Sequence, residues 1–160
     1  MLICGRYIEK KYKNRRNIYK KIRDNEPNYF EKNCLSLITE IAEFLNETKC
    51  FKYWSIKNPD KDKLKEEYAD ALIMTLSMFN YLNINLELVE HSKTSNILEI
   101  FNELFKDASN IMNKNILSVK KVFSNLIYIS TLLNITEEEI KDACYKKQEI
   151  VEKRLSDDNY

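Results

Sequence analysis

Two pairs of carboxylates stand three residues apart in neighbouring segments of the sequence, Glu40 with Glu43 and Glu67 with Asp70. On a helix each residue advances about 100°, so the members of each pair lie within a stripe roughly 60° wide. Carboxylate oxygens without histidine or cysteine are typical ligands of Mg²⁺, Mn²⁺ or Ca²⁺, and a site that also holds waters and phosphate oxygens favours Mg²⁺. The two pairs therefore predict a magnesium site, with Mn²⁺ as a substitute ion, and chemistry on a phosphate compound.

Both acidic stripes border the predicted buried face of their helix. If Glu40 is set at zero, Phe44 lies at about 40° around the helix axis. If Asp70 is set at zero, Glu67 lies at about 60°, among apolar positions. A solvated face is the common alternative for either pair alone. A bare carboxylate at a core edge costs several kcal/mol to desolvate, which favours a bound metal for the two pairs together. In such a site Glu43 is the candidate base for an attacking water.

The rare residues exclude several other chemistries. Gly5 is the single glycine, so the glycine-rich loops that bind phosphates through backbone amides are not expected. His91 is the single histidine and lies in a polar stretch, which argues against Ser-His or Cys-His catalysis. The four cysteines are widely spaced, so we expect reduced thiols and no zinc site.

Charge is nearly balanced over the whole chain, with a formal net charge of +1. Residues 6–23 are strongly basic, and we interpret them either as a solvated helix face or as a surface that attracts an anionic ligand. Neither nucleic acid nor a membrane is expected as a partner. The start of the chain lacks the order of a signal peptide and no apolar run approaches the ~20 residues of a spanning helix, so we expect a cytoplasmic protein.

Apolar residues recur at spacings of three and four throughout, which predicts an all-α single domain over residues 1–160, a bundle of about six helices. Pro27 and Pro59 fall in polar clusters that separate helices. The predicted helices cover about 5–24, 29–49, 61–82, 95–113, 115–134 and 137–155. Predicted start signals are Asn28 with Glu31, Asp60 or Asp62, and Thr136 with Glu139.

The segment LITEIAEFLNETKCFKYWS, followed by LKEEYADALIMTLSM, resembles the dimeric (type 2) dUTPase family. That family belongs to the all-α NTP pyrophosphatases, together with MazG-like proteins. The resemblance implies that Glu40, Glu43, Glu67 and Asp70 bind the metal and that dUTP is hydrolysed to dUMP and pyrophosphate. It also implies a homodimer.

Further residues are assigned to the nucleotide by the same resemblance. In the FKYW segment Lys52 would contact phosphate and Trp54 would form a wall of the base pocket, with a core position as an equal alternative for Phe51 and Trp54. Lys147 and Arg154 match the phosphate contacts of the family's late K-N-x-x-N-x-x-R-Q motif, or else form an exposed basic helix end. Tyr160 resembles the family's closing tyrosine.

The late motif also departs from its family. Gln148 and Val151 stand where asparagines are expected, and Leu155 replaces the final glutamine, which removes amides that could read the base. Asn46 is a candidate to compensate for them. Two alternatives to a dUTPase therefore stay open: a house-cleaning pyrophosphatase of broader (deoxy)nucleotide range, and a non-catalytic helical regulator or binding protein.

Overall fold

The computed structural model describes residues 25–156, which form five α-helices and no strand within that range. The helices are α1 (Tyr29–Thr48), α2 (Lys61–Tyr81), α3 (Ile97–Ile111), α4 (Ile116–Leu132) and α5 (Glu137–Ser156). The predicted all-α class is confirmed. The first predicted helix, over about 5–24, lies outside the described residues.

Two predicted helix starts are confirmed by their hydrogen bonds. The Asp60 carboxylate accepts from the backbone N–H groups of Asp62 and Lys63 at the start of α2. At the start of α5, the Thr136 hydroxyl accepts from the Glu139 N–H at 3.2 Å, and the Glu139 carboxylate accepts from the Thr136 N–H at 2.9 Å. This reciprocal pair satisfies two backbone donors that a helix end would otherwise leave free.

The predicted capping box of Asn28 with Glu31 is wrong. Asn28 adopts a left-handed conformation, with φ 59° and ψ 30°, and its side chain makes no capping hydrogen bond. A capping side chain reaches the first turn from an extended backbone conformation, which Asn28 does not have. Helix α1 nevertheless begins at Tyr29, one residue after the predicted cap.

Helix α2 lies at the centre of the bundle and packs against α1, α4 and α5, while α3 packs against α1 and α4. Phe44 of α1 joins these layers: its ring centroid lies 5.3 Å from that of Tyr68 on α2 and 5.2 Å from that of Phe101 on α3. All three rings are buried. The pairing of α1 with α2 places the two acidic stripes side by side at the edge of this core.

Helix α4 contributes both apolar and polar groups to the interior. Its buried Ser124 and Asn125 accept hydrogen bonds from the backbone N–H groups of Val89 and Ser92 in the segment that joins α2 to α3.

Within residues 25–156 no single helix has the length and apolar composition needed to cross a membrane. Helix α4 and Glu137–Lys147 of α5 meet that requirement only as a pair, which is bent by 118°.

Candidate metal centre

Three carboxylates from two helices converge at the edge of the core. Glu40 comes from α1, and Glu67 and Asp70 come from α2. One side-chain oxygen of each residue lies within 4.8 Å of the others. The arrangement follows from the sequence pattern, because Glu40 directly precedes the fully buried Ile41, and the pairing of α1 with α2 then turns both acidic stripes toward each other.

Burial differs among the four predicted metal ligands. Asp70 is 7% exposed, Glu40 and Glu67 are partly buried, and Glu43 is exposed. The structure brings Glu40, Glu67 and Asp70 together, while Glu43 lies outside that group of three. Its negative charge still raises the pKa values of Glu40 and Glu67.

Burial and mutual repulsion make the cluster hard to ionise. Burial, and then the charges of Asp70 and Glu43, raise the pKa of Glu40 to about 7. The pKa of Glu67 is raised by burial and by the same two neighbours. Each of these effects penalises negative charge, and a divalent cation would relieve both of them at once. The oxygen-only donor set fits a hard cation such as Mg²⁺ or Mn²⁺.

Lys147 of α5 pairs with an acid of this group, because α5 packs on α2. Its Nζ lies 2.5 Å from Oδ2 of Asp70 and 3.7 Å from Oε1 of Glu66. Burial lowers the pKa of Lys147, but its hydrogen bond and charge pairing with Asp70 outweigh that effect and leave the pKa raised. Burial raises the pKa of Asp70, and Lys147 opposes that rise. The Lys147 ammonium is therefore paired with acids of α2.

The sequence placed Lys147 at a phosphate-binding position and gave no indication of its ion pair with Asp70. The two residues are far apart in the chain and meet only because α5 packs on α2. The available signal was the place of Lys147 in the late basic motif, which predicts a contact with phosphate and does not indicate Asp70 as a partner.

The loop between α1 and α2 exposes aromatic side chains. Trp54 is 64% exposed and Phe51 38% exposed, which rules out the core position considered for both residues. The Trp54 ring stands edge-on to Tyr53, with centroids 5.0 Å apart, and edge-on to Phe51 at 6.1 Å. The Lys52 ammonium lies 5.6 Å from the Phe51 ring centroid. Aromatic surface and a cation thus stand together at the ends of the two acidic helices.

Of the three remaining residues predicted to contact the substrate, the structure describes the side chain of Asn46 alone. Asn46 is exposed on α1 one turn after Glu43, and its amide donates to the Glu47 carboxylate at 3.1 Å. Arg154 belongs to α5, but its side chain lies outside the described part of the chain, as does the whole of Tyr160.

Comparison with known proteins adds one finding to this geometry. A family model described as dUTPase matches residues 6–160. The matched range includes the three converging carboxylates, the aromatic loop and the whole of α5. No curated protein and no solved structure matches the chain.

Proposed function

The chain belongs to the type-2 dUTPase family and is a dUTP diphosphatase, and we propose that its conversion of dUTP to dUMP and pyrophosphate depends on Mg²⁺ held by Glu40, Glu43, Glu67 and Asp70. The observation that carries this proposal is the convergence of three carboxylates from α1 and α2 within 4.8 Å. Mn²⁺ is the proposed substitute, because it accepts the same oxygen ligands in an octahedral arrangement.

Three features of the cluster support metal binding over a solvated acidic face. Asp70 is buried and the other two donors are partly buried, the three come from two helices, and the pKa of Glu40 is raised to about 7 by burial and by neighbouring acids. A solvated face would leave its carboxylates exposed and spread apart, at little electrostatic cost. Bound divalent ions would neutralise the triphosphate, orient a water and stabilise the departing pyrophosphate.

Glu43 is the proposed base of the reaction. It lies one helical turn after Glu40 on the same stripe, is exposed, and stands outside the group of three converging acids. Its carboxylate is therefore accessible to a water beside the cluster. The water oxygen forms a new bond to the α- or β-phosphorus, and its proton passes to Glu43. The bond from that phosphorus to the oxygen that bridges the two groups breaks, and the electron pair stays on this oxygen, which leaves dUMP and pyrophosphate.

The substrate contacts are proposed on both sides of this centre. Trp54 offers an exposed ring on which a pyrimidine can stack, and Lys52 supplies a cation beside it for phosphate. On the α5 side, Lys147 and Arg154 are the proposed phosphate cations. Asn46 and Tyr160 complete the set: Asn46 would hydrogen-bond the base, and Tyr160 is a proposed contact of the nucleotide.

We also propose that the protein is a homodimer. Large apolar side chains remain exposed within residues 25–156, among them Leu35 on α1 and Leu117 on α4. Exposed apolar surface of this kind is commonly buried between identical subunits. Light scattering during gel filtration tests the proposal: a mass twice that of the chain supports it, and a monomer at micromolar concentration contradicts it.

A panel of nucleotides tests the function directly. The purified protein is incubated separately with dUTP, dCTP, dTTP, dATP and dGTP, with Mg²⁺ or with EDTA, and pyrophosphate release is measured. We expect release from dUTP with Mg²⁺ and none in EDTA. Equal hydrolysis of all five nucleotides would instead show a broader, house-cleaning substrate range beyond dUTP, which the unusual Gln148 and Val151 leave open. Absence of hydrolysis with every nucleotide would overturn the proposal.

A further inference from the structure

The Lys147 ammonium occupies a position that bears on metal binding. Its Nζ is 2.5 Å from Oδ2 of Asp70, the most buried acid of the converging group. Its positive charge also opposes the rise in the pKa values of Glu40 and Glu67. A single side chain of α5 thus acts electrostatically on all three carboxylates that α1 and α2 contribute.

A divalent ion on these carboxylates would lie close to that ammonium. Mg²⁺ sits about 2.1 Å from its oxygen ligands, so an ion on Oδ2 of Asp70 would lie within about 4.6 Å of the Lys147 Nζ. Two cations at that separation, in a partly buried site, repel each other strongly. They would also share the same carboxylate lone pairs.

We propose that Lys147 is a tethered competitor of the divalent cation at Asp70, so that the cation binds by displacing the Lys147 ammonium, which is then free to reach the triphosphate. This inference rests on the proposed metal site. It makes Lys147 a positioning residue with two successive partners, an acid of the cluster and then a phosphate of the substrate. Metal binding and phosphate binding are thereby coupled through one side chain.

The packing of α5 permits such an exchange. The start of the helix is fixed by the Thr136–Glu139 capping box and by the Lys65 ammonium of α2, 3.6 Å from a Glu139 carboxylate oxygen. Lys147 lies two turns beyond this anchor and remains partly exposed. A lysine side chain has four rotatable bonds, so its ammonium can leave Asp70 while the helix stays in place.

Calorimetric titration of the nucleotide-free protein with Mn²⁺ tests the proposal. Lys147→Met removes the competitor, and we expect its Kd for Mn²⁺ to fall at least about fivefold, in the range of an ordinary coupling between two ligands. Lys147→Arg keeps the charge and should bind Mn²⁺ much as the wild type does. Lys141→Met is the matched control, since Lys141 lies on the same helix and pairs with Glu137.

Thermal unfolding in EDTA and in Mn²⁺ supplies a second readout. Lys147→Met should unfold at a lower temperature in EDTA, because Asp70 loses its partner, and should gain more from Mn²⁺ than the wild type does. If Lys147→Met does not fold, Lys147→Gln replaces it with the same expectations.

The outcomes separate this inference from the metal site itself. A Kd of Lys147→Met equal to or higher than that of Lys141→Met, with the wild type binding Mn²⁺, would overturn the competition and leave the metal site standing. Absence of Mn²⁺ binding in every variant would overturn both.

Discussion

The carboxylates of Glu40 on α1 and Asp70 on α2 lie within 4.8 Å of each other. Burial raises the pKa values of both carboxyls, and the charge of Asp70 raises the pKa of Glu40 further. An arrangement that costs stability in this way is common where a ligand later supplies the compensating charge.

Removing one of these carboxylates should remove the reaction. We expect Glu40→Gln to reduce Mg²⁺-dependent release of pyrophosphate from dUTP at least about 100-fold, because a neutral amide binds a divalent cation poorly. Glu90→Gln, which removes an exposed carboxylate paired with Lys93, serves as the control and should keep wild-type activity. Activity of Glu40→Gln within a few-fold of that control would contradict the assignment.

The stability of the protein in EDTA should fall as the pH rises. In the folded state the pKa of Glu40 is about 7, against an ordinary value of 4.5. A raised carboxyl pKa contributes stability that is fully present below about 4.5 and is lost as the pH rises through about 7. Urea unfolding at several pH values should show this decrease for the wild type and a smaller one for Glu40→Gln, in which the titrating group is absent. Identical pH profiles for the two proteins would argue against a raised pKa at Glu40.

Metal binding should release protons at mildly acidic pH. Because the pKa of Glu40 is raised to about 7, much of this carboxyl is protonated at pH 6 and must ionise when it binds a cation. Titration with Mn²⁺ in buffers of different ionisation enthalpy measures the protons released. We expect clear release at pH 6 and little at pH 8. The same release by Glu40→Gln at pH 6 would assign the proton to another group.

The aromatic loop should contribute to substrate affinity and not to folding. Trp54→Ala removes a ring that is 64% exposed, and stacking of a base is worth roughly 1–3 kcal/mol, so KM for dUTP should rise roughly 5- to 150-fold. The thermal unfolding temperature should stay unchanged. Ile56→Ala, at a fully exposed position of the same loop, is the control and should leave KM unchanged. A rise in KM for both variants would indicate a general effect of the loop.

A buried hydrogen bond outside the site should matter for stability alone. Asn125 is buried on α4, and its side-chain oxygen accepts from the Ser92 N–H at 2.7 Å. Asn125→Ala leaves that donor unsatisfied, which should lower the free energy of unfolding by about 1–3 kcal/mol. Urea unfolding measures the loss, with Asn102→Ala on the exposed face of α3 as the control. Equal stability of the two variants would mean that water or a rearranged backbone satisfies Ser92.

The sequence by itself determined the helices and the faces that carry the acids. Helix α2 was predicted over about 61–82 and spans Lys61–Tyr81, because capping and apolar periodicity act within a few residues. Glu40 was expected at a core edge for the same reason. Metal binding by the acids stays a prediction. So do the substrate contacts assigned to four further residues, Lys52, Asn46, Arg154 and Tyr160.

Only the tertiary structure decided which of these groups meet. The convergence of Glu40 with Glu67 and Asp70 required the pairing of α1 with α2, and the Lys147–Asp70 ion pair required α5 to pack on α2. The exposure of Trp54 depended likewise on how its loop leaves the bundle. Local periodicity states which side of a helix faces inward, but the partner across an interface is selected by packing between segments that are distant in the chain.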